Sequence, residues 1–172
     1  KKIKIVEDAA ESLGTFYTKY IFRGKHTGTI GDIGCISFNS NKIITMGGGG
    51  AILTKSKKIS DKCSYLINQA KDDNIKYIHN EIGFNYRLNN ISAAIGYAQL
   101  QNINKILNNK KKINQYYFKY LNKKNYYGIL NYSEYYSNNN WLNILKFERV
   151  NYNIILSLIN KLNDLGIETR PI

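Results

Sequence analysis

The sequence predicts an α/β fold, and three observations carry that prediction. The first third holds short apolar runs of strand length, separated by glycine-rich turns. Most of the remainder carries apolar residues at the 3–4 spacing of amphipathic helices. Finally, an acid, Asp8, closes the first apolar run. Open α/β sheets face their ligand crevice at such strand ends.

Residues 3–6 read as a buried strand running into Glu7-Asp8-Ala9-Ala10, and Gly14, Gly24, Gly28 and Gly31 then punctuate a turn-rich stretch. Residues 33–38 form a second buried strand, and residues 51–54 a third, after Lys42 and the run Gly47-Gly48-Gly49-Gly50. A helix is predicted over 56–70, followed by a polar loop over 71–89. Ile91, Ala94, Ile95 and Ala98 share one face of the next helix. Ile103, Ile106, Leu107, Ile113, Tyr117 and Leu121 extend the spacing through a long amphipathic helix. A Tyr- and Asn-rich connector over 126–140 leads to a strand predicted over 141–147. Ile155, Leu158, Ile159, Leu162 and Leu165 make the clearest helical stripe, and residues 166–172 begin a further strand. No internal repeat is present. The first strand lacks the preceding strands that a parallel sheet needs, so the sequence is expected to be a fragment of a larger protein.

At 172 residues the chain can bury one real core. It has no apolar run of about 18 residues, the length that spans a membrane. The N-terminus reaches acid too soon for a secretory signal, so a cytoplasmic setting is expected. Cys35 and Cys63 lack metal-ligand spacing, and in a reducing compartment both read as small apolar side chains. No metal site is predicted. The net charge of +13 raises the alternative of a basic nucleic-acid-binding module. Lysines outnumber arginines and are scattered, apart from Lys110-Lys111-Lys112 and Lys123-Lys124. That distribution fits solvated helix surface better than a phosphate-binding face, so neither nucleic acid nor membrane is expected as a partner.

Taken alone, Asp8 can bind a metal, act as a base or hold a protonated heterocycle. In Ser37-Phe38-Asn39-Ser40-Asn41-Lys42, a desolvated lysine behind a buried strand can attack an aldehyde, and Ser37 can donate to a phosphate. The same segment also reads as a surface lysine beside a flexible turn. The glycine run is neither a P-loop, since no Gly-Lys-Ser/Thr follows, nor the spaced dinucleotide fingerprint.

Taken together, the motifs resemble a known family. Val6-Glu7-Asp8-Ala9-Ala10-Glu11-Ser12-Leu13-Gly14, then Gly28-Thr29-Ile30-Gly31-Asp32-Ile33-Gly34-Cys35-Ile36-Ser37-Phe38, Lys42 and the four glycines are similar to the DegT/DnrJ/EryC1/StrS aminotransferases. Glu81-Ile82-Gly83-Phe84-Asn85-Tyr86-Arg87, the alanine-rich helix after it, and Thr169-Arg170-Pro171 extend the resemblance over nearly the whole chain. It implies part of the large domain of a fold-type-I enzyme dependent on pyridoxal 5'-phosphate (PLP), over residues 1–122. The start of the small α/β domain would follow over 123–172. The implied reaction moves an amino group, from glutamate or a similar donor, to a nucleotide-linked keto sugar. The all-glycine run is similar to a subset making 4-amino sugars for surface glycans.

By position, Lys42 would form the Schiff base with the cofactor and then shuttle a proton. Asp8 would pair with the pyridinium nitrogen and Ser37 would bind the phosphate. Asn85 would reach the cofactor phosphate of a neighbouring subunit, which implies a homodimer with shared sites. Glu11 stands where many members carry Gln or His beside the cofactor's phenolic oxygen. Lys42 occurs where the family's dehydratase branch carries His, so dehydration is disfavoured. Members are about twice this length, so the piece by itself is expected to be inactive. A non-catalytic relative that keeps the fold is the other reading.

Overall fold

The computed structural model describes residues 3–73, 75–121, 126–130 and 134–172. The Lys123-Lys124 cluster and the 122/123 division lie outside these residues. The chain divides into two compact units, Lys1–Ile113 with Tyr132–Trp141, and Asn114–Asn131 with Leu142–Ile172.

In the first unit, β1 (Val6–Asp8), β3 (Ile33–Ser37) and β4 (Gly50–Leu53) form a mixed sheet in the order β1-β3-β4. Strand β1 runs parallel to β3, with Asp8 opposite Cys35, and β4 is antiparallel to β3, with Gly50 opposite Ser37. Between them in sequence, β2 (Phe16–Tyr17) pairs outside this sheet with β6 (Tyr136–Ser137).

The second and third predicted strands agree with β3 and β4 to within a residue. The first is displaced: pairing starts at Val6 and includes Asp8, while Ile3 and Ile5 are 84% and 57% exposed. Hydrophobicity marks what an element buries, whereas a ladder extends wherever backbone groups find partners. Among the described residues β1 pairs with β3, and its ladder continues into acidic residues.

Helix α1 (Lys57–Ile67) is capped by Ser56, whose hydroxyl accepts from the Ile59 N–H. It stops short of the predicted residue 70. Gln69 and Ala70 adopt positive φ (65° and 48°), and the chain returns so that the Phe84 and Tyr86 N–H groups bond the Leu66 and Ile67 carbonyls. Those contacts satisfy carbonyls that the helix end would leave open.

Helix α2 (Asn90–Leu100) has an Asn89 cap accepting from the Ser92 N–H at 2.8 Å. Ile91 and Ile95 are exposed, and the buried position is Gly96, packed against Met46. The helix is apolar nearly all round, so spacing alone does not choose its inner face. Helix α3 (Ile103–Leu121) forms as predicted.

The second unit contains β5 (Tyr127–Ile129), which pairs antiparallel with β7 (Leu145–Phe147), and α4 (Tyr152–Asp164). The connector thus holds strands that sequence did not predict, and the strand expected over 141–147 forms only at its end. Trp141 is drawn away because its N–H bonds the Asn139 side chain at 3.0 Å. No strand forms at 166–172, because Thr169 folds back onto the Asn163 amide oxygen at 2.7 Å. Among the described residues no helix is long and apolar enough to cross a membrane.

Candidate active site

The loop joining β3 to β4 carries Lys42, and several anchors fix its backbone. The Phe38 N–H bonds the Gly49 carbonyl, the Met46 N–H bonds the Phe38 carbonyl, and the Lys42 N–H closes a turn onto the Asn39 carbonyl. Ile43 and Ile44, directly after the lysine, are buried. Gln99 of α2 then grips Thr45 from both sides, its oxygen accepting from the Thr45 N–H (3.0 Å) and its amide donating to the Thr45 carbonyl (2.6 Å). A Cβ on Gly96 would lie 2.0 Å from Met46 Cε, so glycine there lets α2 approach the loop.

From this base the Lys42 side chain, only 12% exposed, directs Nζ to 2.9 Å from Glu11 Oε1. Glu11 lies on the turn that leaves β1, where the Ser12 N–H bonds the Ala9 carbonyl and the Thr15 N–H bonds the Ser12 carbonyl. The face of Trp141 lies 4.2 Å from the same nitrogen. Asp8 is exposed at the C-terminal end of β1, and its Oδ1 accepts from the Ala10 N–H at 3.1 Å. Ser37 ends the neighbouring parallel strand β3, with Oγ accepting from the Asn39 N–H at 3.3 Å. Asp8 and Ser37 therefore stand at the same end of parallel strands, and Glu11 and Lys42 meet in the turns beyond that end.

Asn85 is placed elsewhere. It lines a groove of about 910 Å³ with the glycine run, Met46, Arg87 and Ser92; Lys42, Asp8 and Ser37 are not in that lining.

Beneath the site, Glu7 plays a part that sequence reading missed. Its carboxylate accepts the N–H groups of Gly28 (2.8 Å), Ile30 (2.6 Å) and Gly31 (2.6 Å). Burial pushes its pKa up, but the N–H donors of Gly31, Gly28 and Ile30 outweigh that and hold it below the usual carboxylate value. Sequence reading also missed Gln99, Asn139 and Trp141. The one signal available was a single tryptophan directly after three asparagines in a stretch that otherwise looks like compositional filler.

The mixed sheet with its helices is the architecture of part of a fold-type-I aminotransferase. The chain belongs to the DegT/DnrJ/EryC1/StrS aminotransferase family, whose model matches residues 1–172. It is 35% identical over 173 residues to EpsN of Bacillus subtilis, whose name describes a pyridoxal phosphate-dependent aminotransferase; the match covers 99% of this chain and 42% of that protein. It is 39% identical over 122 residues to the GDP-perosamine synthase of Escherichia coli O157:H7, covering 71% of this chain and 32% of that one. The pseudoaminic acid biosynthesis aminotransferase PseC of Helicobacter pylori shares the fold, with a TM-score of 0.81 at 21% identity over 95% of this chain and 43% of that chain. The chain thus spans at most about two fifths of the length of these relatives.

Proposed function

We propose that the whole protein transfers an amino group from an amino-acid donor, glutamate in the leading reading, to a nucleotide-linked keto sugar of the 4-keto class. PLP is the cofactor and a surface glycan the destination. The observation that carries this is the largely buried Lys42 side chain, in the loop that leaves β3 at Ser37, beside the parallel strand that ends in Asp8. The GDP-perosamine synthase relative supports a nucleotide-sugar substrate. The chain's free cysteines suit a cytoplasmic setting.

The donor set fits PLP. An exposed carboxylate suits a protonated ring nitrogen, a strand-end hydroxyl suits a phosphate, and a nearby amine suits an aldehyde carbon. When bound, PLP supplies an electron-accepting ring. The chain's own groups would do the rest: Lys42 Nζ would hold the cofactor and supply the base that moves a proton, Asp8 would hold the ring-nitrogen proton and Ser37 would orient the phosphate. Glu11 receives and steadies the Lys42 amine.

Borohydride trapping of the whole protein with PLP tests this. Peptide mapping should find the adduct on Lys42, and Lys42→Ala should abolish it. An adduct of undiminished yield in that variant would overturn the assignment.

We also place Asn85 at a second copy's site, within a homodimer. The support is a run of exposed apolar side chains flanking it: Ile82 (86%), Tyr86 (71%), Ile91 (77%) and Tyr97 (65%). An apolar surface of this kind suits a covered interface. Sedimentation of the whole protein should give a dimer at micromolar concentration, and Ile91→Glu should shift it toward monomer. A wild-type monomer at that concentration would refute the shared site.

A further inference from the structure

Trp141 lies 99 residues beyond Lys42 in the chain, yet its ring sits 4.2 Å from the lysine's terminal nitrogen. Three separate bonds fix the tryptophan. Its backbone N–H donates to Asn139 Oδ1 (3.0 Å), its carbonyl accepts from Lys110 Nζ (3.2 Å), and its indole N–H donates to the Asn41 carbonyl (2.6 Å). The last bond fastens the ring to the residue directly before Lys42.

Asn139 is itself anchored. It is 4% exposed, its amide donates to the Glu11 (2.8 Å) and Leu13 (3.0 Å) carbonyls, and its N–H donates to Thr15 Oγ1 (3.2 Å). Residues 139–141 therefore tie the Glu11 turn to the Lys42 loop. A lysine ends in a flexible four-carbon stem that does not choose one position unaided. Here Nζ lies between the Glu11 carboxylate, whose backbone Asn139 anchors, and the face of an indole held by three bonds.

We propose that Trp141 is a positioning residue for Lys42. With Glu11 it forms a seat that holds the lysine nitrogen in one place and restrains it from reacting until a carbonyl competes for it. This rests on reading Lys42 as the cofactor lysine, but the seat is measurable without cofactor. The indole supplies cation–π attraction and covers the nitrogen, while the Asn41 bond sets the ring's distance.

The test is competitive acetylation of the whole protein after hydroxylamine has removed any bound carbonyl, with each lysine's rate read by mass spectrometry. In the unsubstituted protein Lys42 should label several-fold more slowly than exposed Lys57. Trp141→Leu should raise the Lys42 rate by about two- to fivefold, the scale of a cation–π contact, with Lys57 unchanged. Trp141→Phe, which keeps a ring face, should stay closer to wild type. An unchanged Lys42 rate in a folded Trp141→Leu protein would overturn the proposal.

Should the leucine variant misfold, all lysines would accelerate together and Glu11→Gln decides. With the indole as the remaining wall, Lys42 should still label more slowly than Lys57. Equal rates there would refute a seat by Trp141. Failure of PLP trapping on Lys42 would instead remove the cofactor reading and leave the seat standing, so the two failures are distinct.

Discussion

Replacing Gly34 with alanine is expected to destabilise the protein by about 3 kcal/mol, the upper end for forced overpacking. Gly34 sits in the middle strand of the sheet, opposite Glu7 on β1 and Leu53 on β4. A Cβ there would lie 1.9 Å from the Gly28 carbonyl oxygen and under 3 Å from two further Gly28 backbone atoms. Because the obstacle is backbone, no side chain can swing aside. Nor can the Gly28 turn retreat easily, since its φ is +83°, Glu7 holds its N–H and its own Cβ position faces Ala9 at 2.8 Å. Substitution at Gly28 would meet both the positive φ and that contact. Urea unfolding of the whole protein measures the effect, and a loss below about 1 kcal/mol for Gly34→Ala would show that the turn relaxes freely.

The second large effect is expected from Glu7→Gln, at about 2–3 kcal/mol. The glutamine amide nitrogen cannot accept, so at least one of the Gly28, Ile30 and Gly31 donors would face another donor. The charge that strengthens all three bonds would also be lost. The pH dependence follows from the direction of the Glu7 shift. Its folded pKa is depressed, so the unfolded chain binds the proton more readily. The contribution is fully present above the ordinary glutamate value, about 4.3, and is lost as pH falls through the lower folded value. Unfolding measured from neutral pH down into that acid range should show the gap between wild type and Glu7→Gln narrowing. A gap independent of pH would show that the ionised carboxylate is not its source.

Both predictions concern residues inside the motifs that revealed the family, and they explain part of why those motifs look as they do. The glycines at 28 and 31 read in the sequence as turn punctuation. In the structure they belong to a turn whose N–H groups surround the Glu7 carboxylate. The strand-end place of Asp8 was legible from the apolar run before it, while the role of its neighbour Glu7 was not, since nothing local distinguishes a carboxylate that binds backbone from one that faces solvent. Spacing put Ile91 and Ile95 on one face of α2, but it is Gly96 against Met46 that sets the packing of the helix.

The sequence by itself determined the α/β class, the family, the two strands flanking the Lys42 loop, and the long helix over residues 103–121. Local periodicity and ordered motifs suffice for these, because each is written in consecutive residues. Only the tertiary structure decided that Glu11 meets Lys42, that Gln99 grips the lysine loop from α2, and that Trp141 reaches Lys42 from a position expected to open a strand. Those contacts join residues 31 to about 100 positions apart. Hydrogen-bond partners and ring distances at that separation depend on how the backbone closes in space, which no run of neighbouring residues records.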